Sequence, residues 1–133
     1  MAAERTPNRW FWLNRRIKRI VAYYKRKLGT NDPLKIAQYL KIQVYFCPLG
    51  NIAGNYVYIR RVKWIFVNSD IEDDVFKQIV LAHELGHAYH GMLVENERPL
   101  NREYCMPLAE TASTFNENIM YRALINDADR ENK

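Results

Sequence analysis

The sequence predicts a small α+β domain, and three observations carry that expectation. Its 133 residues are about one domain's worth, enough to bury a single core without disulfide staples. Apolar residues recur at three- and four-residue spacing towards both ends of the chain, whereas the middle alternates and is rich in branched and aromatic side chains. Hydrophobic residues make up 48% and charged residues 26%, with five Gly and five Pro, which excludes a disordered, collagenous or low-complexity chain. The expectation is one domain over residues 1–133, of which 1–8 are flexible.

The elements follow in order. From Asn8 to Leu28 the residues Trp10, Leu13, Ile17, Ile20, Val21, Tyr24 and Leu28 form an apolar stripe, with arginines on the wet face and Gly29 as the stop. Asp32-Pro33 supplies an N-cap and a Pro at the first helical position, opening a short helix through Leu40. Lys41–Phe46 reads as a half-buried strand; Asn55–Ile59 and Lys63–Val67 read as two more, joined near Arg60–Val62 without the usual Asn-Gly or Asp-Gly turn. Ser69 with Glu72 fits a capping box for a third helix that ends at Gly91. After a loop from Met92 to Met106, Pro107 opens the last helix, with Leu108, Ala112, Phe115 and Ile119 as its buried stripe.

No stretch of about 18 apolar residues exists to span a membrane, and the N-terminus is too polar for a signal peptide, so the cytoplasm is the expected compartment. Cys47 and Cys105 are expected as reduced, buried small hydrophobes. Net charge is +5, but residues 1–28 alone carry +8. Such a basic segment could attract nucleic acid, an acidic partner or anionic lipid, or simply form a solvated helix face.

The chemistry sits in one window, which holds all three histidines of the chain, His83, His87 and His90. On a helix, positions i and i+4 share a face, so His83 and His87 converge on one ion while Glu84 reaches the water it binds: the H-E-x-x-H arrangement. A catalytic zinc needs a third protein ligand and an open position. The metzincin extension fails, because its Gly and third His positions hold His90 and Leu93. Glu110 is the candidate third ligand, on a polar stripe with Thr114, Glu117 and Tyr121 opposite the apolar one. Thr114 or Glu117 could orient a ligand histidine. His90 is rotated away from the site and reads as a surface or substrate-side residue. Gly86 in mid-helix marks a place where another backbone passes closely. Tyr56, Tyr58, Tyr89, Tyr104 and Tyr121 are all candidate oxyanion donors.

In these residues and their surroundings the chain resembles the ImmA/IrrE family of metallopeptidases over roughly residues 12–125. The resemblance lies in Asp32-Pro33-Leu34-Lys35-Ile36-Ala37, Gly54-Asn55-Tyr56, Ile65-Phe66-Val67-Asn68 and Val80-Leu81-Ala82-His83-Glu84-Leu85-Gly86-His87. It implies a small zincin-like fold, His83, His87 and Glu110 as zinc ligands, Glu84 as general base, and cleavage of a helix-turn-helix repressor or related regulator. The third-ligand helix departs from that family's Glu-x-x-Ala-Asn-x-Phe-Ala. Its Glu110-Thr-Ala-Ser-Thr-Phe-Asn-Glu117, with Ala82–His90, is similar instead to the oligopeptidase F and thimet oligopeptidase family over about residues 78–130. Both resemblances imply one zinc ion per chain and a protein or peptide substrate. A peptide is expected to bind extended along an exposed sheet edge beside the third helix, near Tyr56 or Trp64. Two other classes remain open at this point: a catalytically silent, metal-stabilised regulatory module, and a nucleic-acid-associated protein using the basic first helix.

Overall fold

A computed structural model describes residues 9–96 and 106–131, with side chains described at 15–96, 110 and 112–131. The order is α1 (Arg9–Leu28), α2 (Pro33–Tyr39), β1 (Gln43–Cys47), β2 (Gly54–Ile59), β3 (Val62–Asn68), α3 (Asp74–Glu95) and α4 (Met106–Glu131). This is the predicted α+β class, a small zincin-like domain.

The three strands form one sheet in the order β1-β3-β2, with β1 parallel and β2 antiparallel to β3. Ile65 and Val67 of the central strand are fully buried, and α3 lies across that face. Ile17 and Val21 of α1, Ile36 and Ala37 of α2, Leu81, Leu85, Ala88 and Tyr89 of α3, and Ala112 of α4 complete one continuous core. Among the described residues no helix is long and apolar enough to cross a membrane.

Several boundaries differ from the sequence reading for local reasons. The first strand begins at Gln43, not Lys41, because Lys41 (φ 57°) takes the left-handed conformation in a Schellman closure of α2. The Ile42 N–H reaches the Ala37 carbonyl at 2.9 Å and the Lys41 N–H reaches that of Gln38 at 3.0 Å. The hairpin from β2 to β3 turns on Arg60 and Arg61, both at positive φ (50° and 64°), between the paired Ile59 and Val62. That is the backbone of a type I′ turn without its usual residues.

Helix α3 is capped by Asp73 rather than Ser69: its carboxylate accepts from the N–H groups of Val75 (2.8 Å) and Phe76 (3.2 Å). Ser69 and Asp70 belong to a loop organised by buried Asn68, whose side chain accepts from the Leu49 and Asp70 N–H groups and donates to the Gly50 and Ile52 carbonyls. Helix α3 also runs through Gly91 to Glu95, since a glycine without a left-handed φ has no reason to end it. Cys47 is a free thiol but only half-buried, at the end of β1; Cys105 lies outside the described residues.

Candidate functional site

Helix α3 presents His83 and His87 one turn apart, with ring centroids 5.1 Å from each other. Helix α4 crosses beside them and brings up Glu110. The Glu110 carboxylate stands 3.2 Å from His83 Nε2 and 3.6 Å from His87 Nε2. One ligand atom from each of the three residues falls within 4.8 Å of the others.

The protons decide what this cluster can hold. His83 Nδ1 lies 3.0 Å from Glu117 Oε2. An ionised carboxylate can only accept, so this contact calls for a proton on Nδ1, and in the neutral ring that leaves Nε2, which faces Glu110, as the ligating atom. Burial lowers the pKa of His87; the neighbouring His83 adds to that fall and Glu110 opposes it. His83 Nε2, His87 Nε2 and the Glu110 carboxylate thus converge as three atoms that can act together as ligands for a cation. The donor set, two nitrogens and one oxygen, suits zinc with a fourth position left open.

Glu84, next to His83 in sequence, is buried at 7% exposure between α3 and β2. Burial pushes its carboxyl up to about 7, and Glu110 adds to the rise; His83 and the backbone N–H of Tyr56 pull the other way. Gly54 makes room for it. A Cβ there would sit 3.0 Å from Glu84 Cγ and 3.2 Å from its Oε1, and closer still to Val80.

The crossing of α3 and α4 depends on Gly86. A Cβ at this position would stand 2.6 Å from the Ala112 carbonyl oxygen and 2.7 Å from the Ser113 nitrogen, with the Ser113 Cα nearer still. The close backbone pass expected from the sequence is therefore present. Just beyond it, Asn116 Nδ2 donates to the Ala82 carbonyl, tying the helices together at the residue before His83. Fully buried Ser113 sets its hydroxyl 3.0 Å from Glu110 Oε2 and 2.9 Å from the Glu110 carbonyl, with one proton to share between them.

Other sequence expectations fare differently. Glu117 orients His83, while Thr114 is exposed and contacts no candidate ligand. His90 is buried at 1% exposure, not at the surface, because it falls on the core side of α3. The buried stripe of α4 is Ala112, Ser113, Asn116 and Met120, with Phe115 and Ile119 only flanking it, and the Leu108 side chain lies outside the described residues. Ser113 and Asn116 were missed since polar residues on a helix read as wet; a small residue at Gly86 was the available hint of a partner backbone.

Of the candidate oxyanion donors, Tyr89 is sealed in the core against Tyr24, Tyr58 and Tyr121 are exposed, and Tyr104 lies outside the described residues. Tyr56 runs along α3, and a Cβ on Gly91 would meet its hydroxyl at 3.2 Å. Trp64 sits on the central strand, which has a neighbour on each side, so of the two proposed positions only Tyr56 lies on an edge strand.

Fold and cluster together define a small zincin-like domain. The chain belongs to the peptidase M78 family, whose IrrE N-terminal-like domain profile matches residues 37–130. It is 37% identical over 73 residues to immunity region protein 2 of Bacillus phage phi105, covering 54% of this chain and 46% of the phage protein. It is 38% identical over 60 residues to the chromosomal oligoendopeptidase F of Lactococcus lactis subsp. cremoris, covering 44% of this chain and 10% of that enzyme. The matched region thus spans under half of the first relative's length and a tenth of the second's.

Proposed function

We propose that the protein is a zinc-dependent endopeptidase that cleaves a protein regulator, such as a helix-turn-helix repressor, in the cytoplasm. The observation that carries this reading is the convergence of His83 Nε2, His87 Nε2 and Glu110 with buried Glu84 beside them. The name of the phage relative, an immunity region protein, supports a regulatory substrate.

In this reading His83, His87 and Glu110 hold the ion and residues 1–133 act as one domain. When bound, zinc supplies Lewis acidity, lowering the pKa of water and polarising a carbonyl. Glu84 does the proton work: its carboxylate takes a proton from the attacking water and delivers it to the leaving amine nitrogen. Burial of the Glu84 carboxyl favours its holding the proton between those two transfers. Glu117 fixes the His83 ring and Ser113 fixes the Glu110 carboxylate, so the ligand atoms are preset. The substrate backbone pairs as an added strand on β2, whose side away from β3 is open within the sheet.

The test is elemental analysis of the purified protein and its Glu84→Gln variant, followed by digestion of a proteome-derived peptide library and of a purified helix-turn-helix repressor. About one zinc per chain in both proteins, with cleavage falling at least about 100-fold in the variant, is the expected result. A variant that still cleaves would remove Glu84 from the mechanism, and zinc-free protein would remove the site.

A second reading, a peptide hydrolase with broad taste for short substrates, draws on the match to oligoendopeptidase F. It requires cleavage of many library peptides and none of the folded repressor.

A further inference from the structure

Helix α1 carries a feature that peptide hydrolysis does not use. Between residues 15 and 28 it holds Arg15, Arg16, Lys18, Arg19, Lys25, Arg26 and Lys27, while all fifteen Asp and Glu of the chain lie elsewhere. All seven cations are exposed.

Their arrangement is ordered by the core. Ile17 and Val21 are buried, with Ile20, Tyr24 and Leu28 packed partly against them, and these define the inner side of the helix. At 100° per residue, Arg15, Arg19 and Arg26 project within roughly 25° of the opposite pole, in a line about 16 Å long. The flanking cations are partly engaged. Lys18 lies over the Phe115 ring of α4 at 5.7 Å, and Lys27 sits over the Tyr23 and Tyr39 rings at 5.3 and 5.2 Å. Lys25 lines a groove of about 710 Å³ with Asp32 and Asp127. Among the described residues, Lys18, Arg19, Lys25, Arg26 and Lys27 make no ion pair with a carboxylate.

We infer that this outward line of α1 is a docking surface for the phosphate backbone of duplex DNA. Spaced cations on a straight rod match a polyanion carrying one charge per about 1.7 Å of its axis. A membrane surface fits less well, because among the described residues the apolar side of α1, from Ile17 to Leu28, is consumed by the core and the outer line offers only Ala22 between its arginines. A protein partner would need an apolar anchor at the centre of the patch, and none stands on this line. The contact is to backbone, so it is expected to be independent of base sequence. The inference stands apart from the peptidase reading and does not need it.

The test is fluorescence anisotropy of a labelled 20-base-pair duplex of arbitrary sequence with the full chain, between about 50 and 200 mM salt. Micromolar binding at the low end is expected, with log K falling against log salt at a slope of about −2 or steeper, about −0.9 for each of the phosphates met by Arg19 and Arg26. Arg19→Gln with Arg26→Gln should weaken binding at least tenfold and flatten the slope by about 2. Arg19→Lys with Arg26→Lys should restore both, which excludes a folding defect. No binding at about 50 mM salt, or a slope unchanged in the Gln pair, would overturn the inference. So would binding to vesicles of phosphatidylserine and phosphatidylcholine that exceeds binding to the duplex.

Discussion

Helices α3 and α4 build the site together but are held in the fold by different means. Ten residues of α3, from Ile79 to His90, are buried, and they wrap around much of its circumference. Helix α4 is longer, yet among its described residues only Ala112, Ser113, Asn116 and Met120 are buried. It nevertheless supplies Glu110, Glu117 and Ser113. One helix is placed by the bulk of the core, and the other by its packing along α3, tightest at the Gly86 crossing and continued by Met120 and Leu124 beside Ile79 and Ala82. The candidate ligands on α3 are therefore fixed wherever the domain folds, whereas the carboxylates of α4 are as secure as the Gly86 pass and the Asn116 bond.

The sharpest way to break that contrast is Gly86→Ala. One added methyl meets α4 backbone, which cannot swing aside as a side chain can. Helix propensity returns about 1 kcal/mol, so a net loss of about 1–3 kcal/mol is expected from overpacking. Urea unfolding at an unchanged slope reads it, together with weaker zinc uptake as Glu110 is pushed outward. An unchanged midpoint would show that α4 is looser than the crossing implies.

Glu117→Ala sharpens the comparison on the α4 side alone. It removes the acceptor that orients His83 and should weaken zinc affinity about 10–100-fold in a chelator competition. The urea midpoint of the zinc-free protein should stay within about 0.5 kcal/mol, as for other partly exposed positions. Glu117→Gln keeps one acceptor oxygen and should recover part of the affinity. Equal losses in both variants would argue for charge rather than orientation.

The smallest effect is expected inside α3. The Tyr89 hydroxyl is buried without a hydrogen-bond partner among the described residues. Burial pushes its pKa well above the ordinary 10, with Tyr24 adding to the rise. The folded state thus keeps a proton that the unfolded chain releases, so stability is full below pH 10 and declines as pH rises beyond it. Tyr89→Phe should stabilise by about 1 kcal/mol at neutral pH and flatten the decline above pH 10, both measurable by thermal melts. A destabilised variant would mean that the hydroxyl has a partner after all.

The same division explains what could be read in the sequence. His83, Glu84 and His87 lie within one helical turn, so their geometry follows from the period alone, and Glu110 followed from a search for one more ligand. Ser113, Asn116 and the buried side of His90 depend on how α4 rotates against α3, which no local pattern encodes. Asp73 displaced Ser69 as the cap because Asn68 had already claimed the loop before it. Lys41, Arg60 and Arg61 occupy backbone conformations that glycine or asparagine usually signals, so those boundaries carried no mark. The α+β class survived such slips because the core periodicities, unlike the turns, are redundant.

The missing side chain at position 86 also limits how such a site can change through descent. A lineage that replaced this glycine would have to move a whole helix to recover, and two simultaneous substitutions are far rarer than one. Randomising α3 in a selection for folded, zinc-loaded protein should therefore return glycine at 86 in nearly every survivor. Exposed Val75 and Phe76, on the same helix, should drift freely.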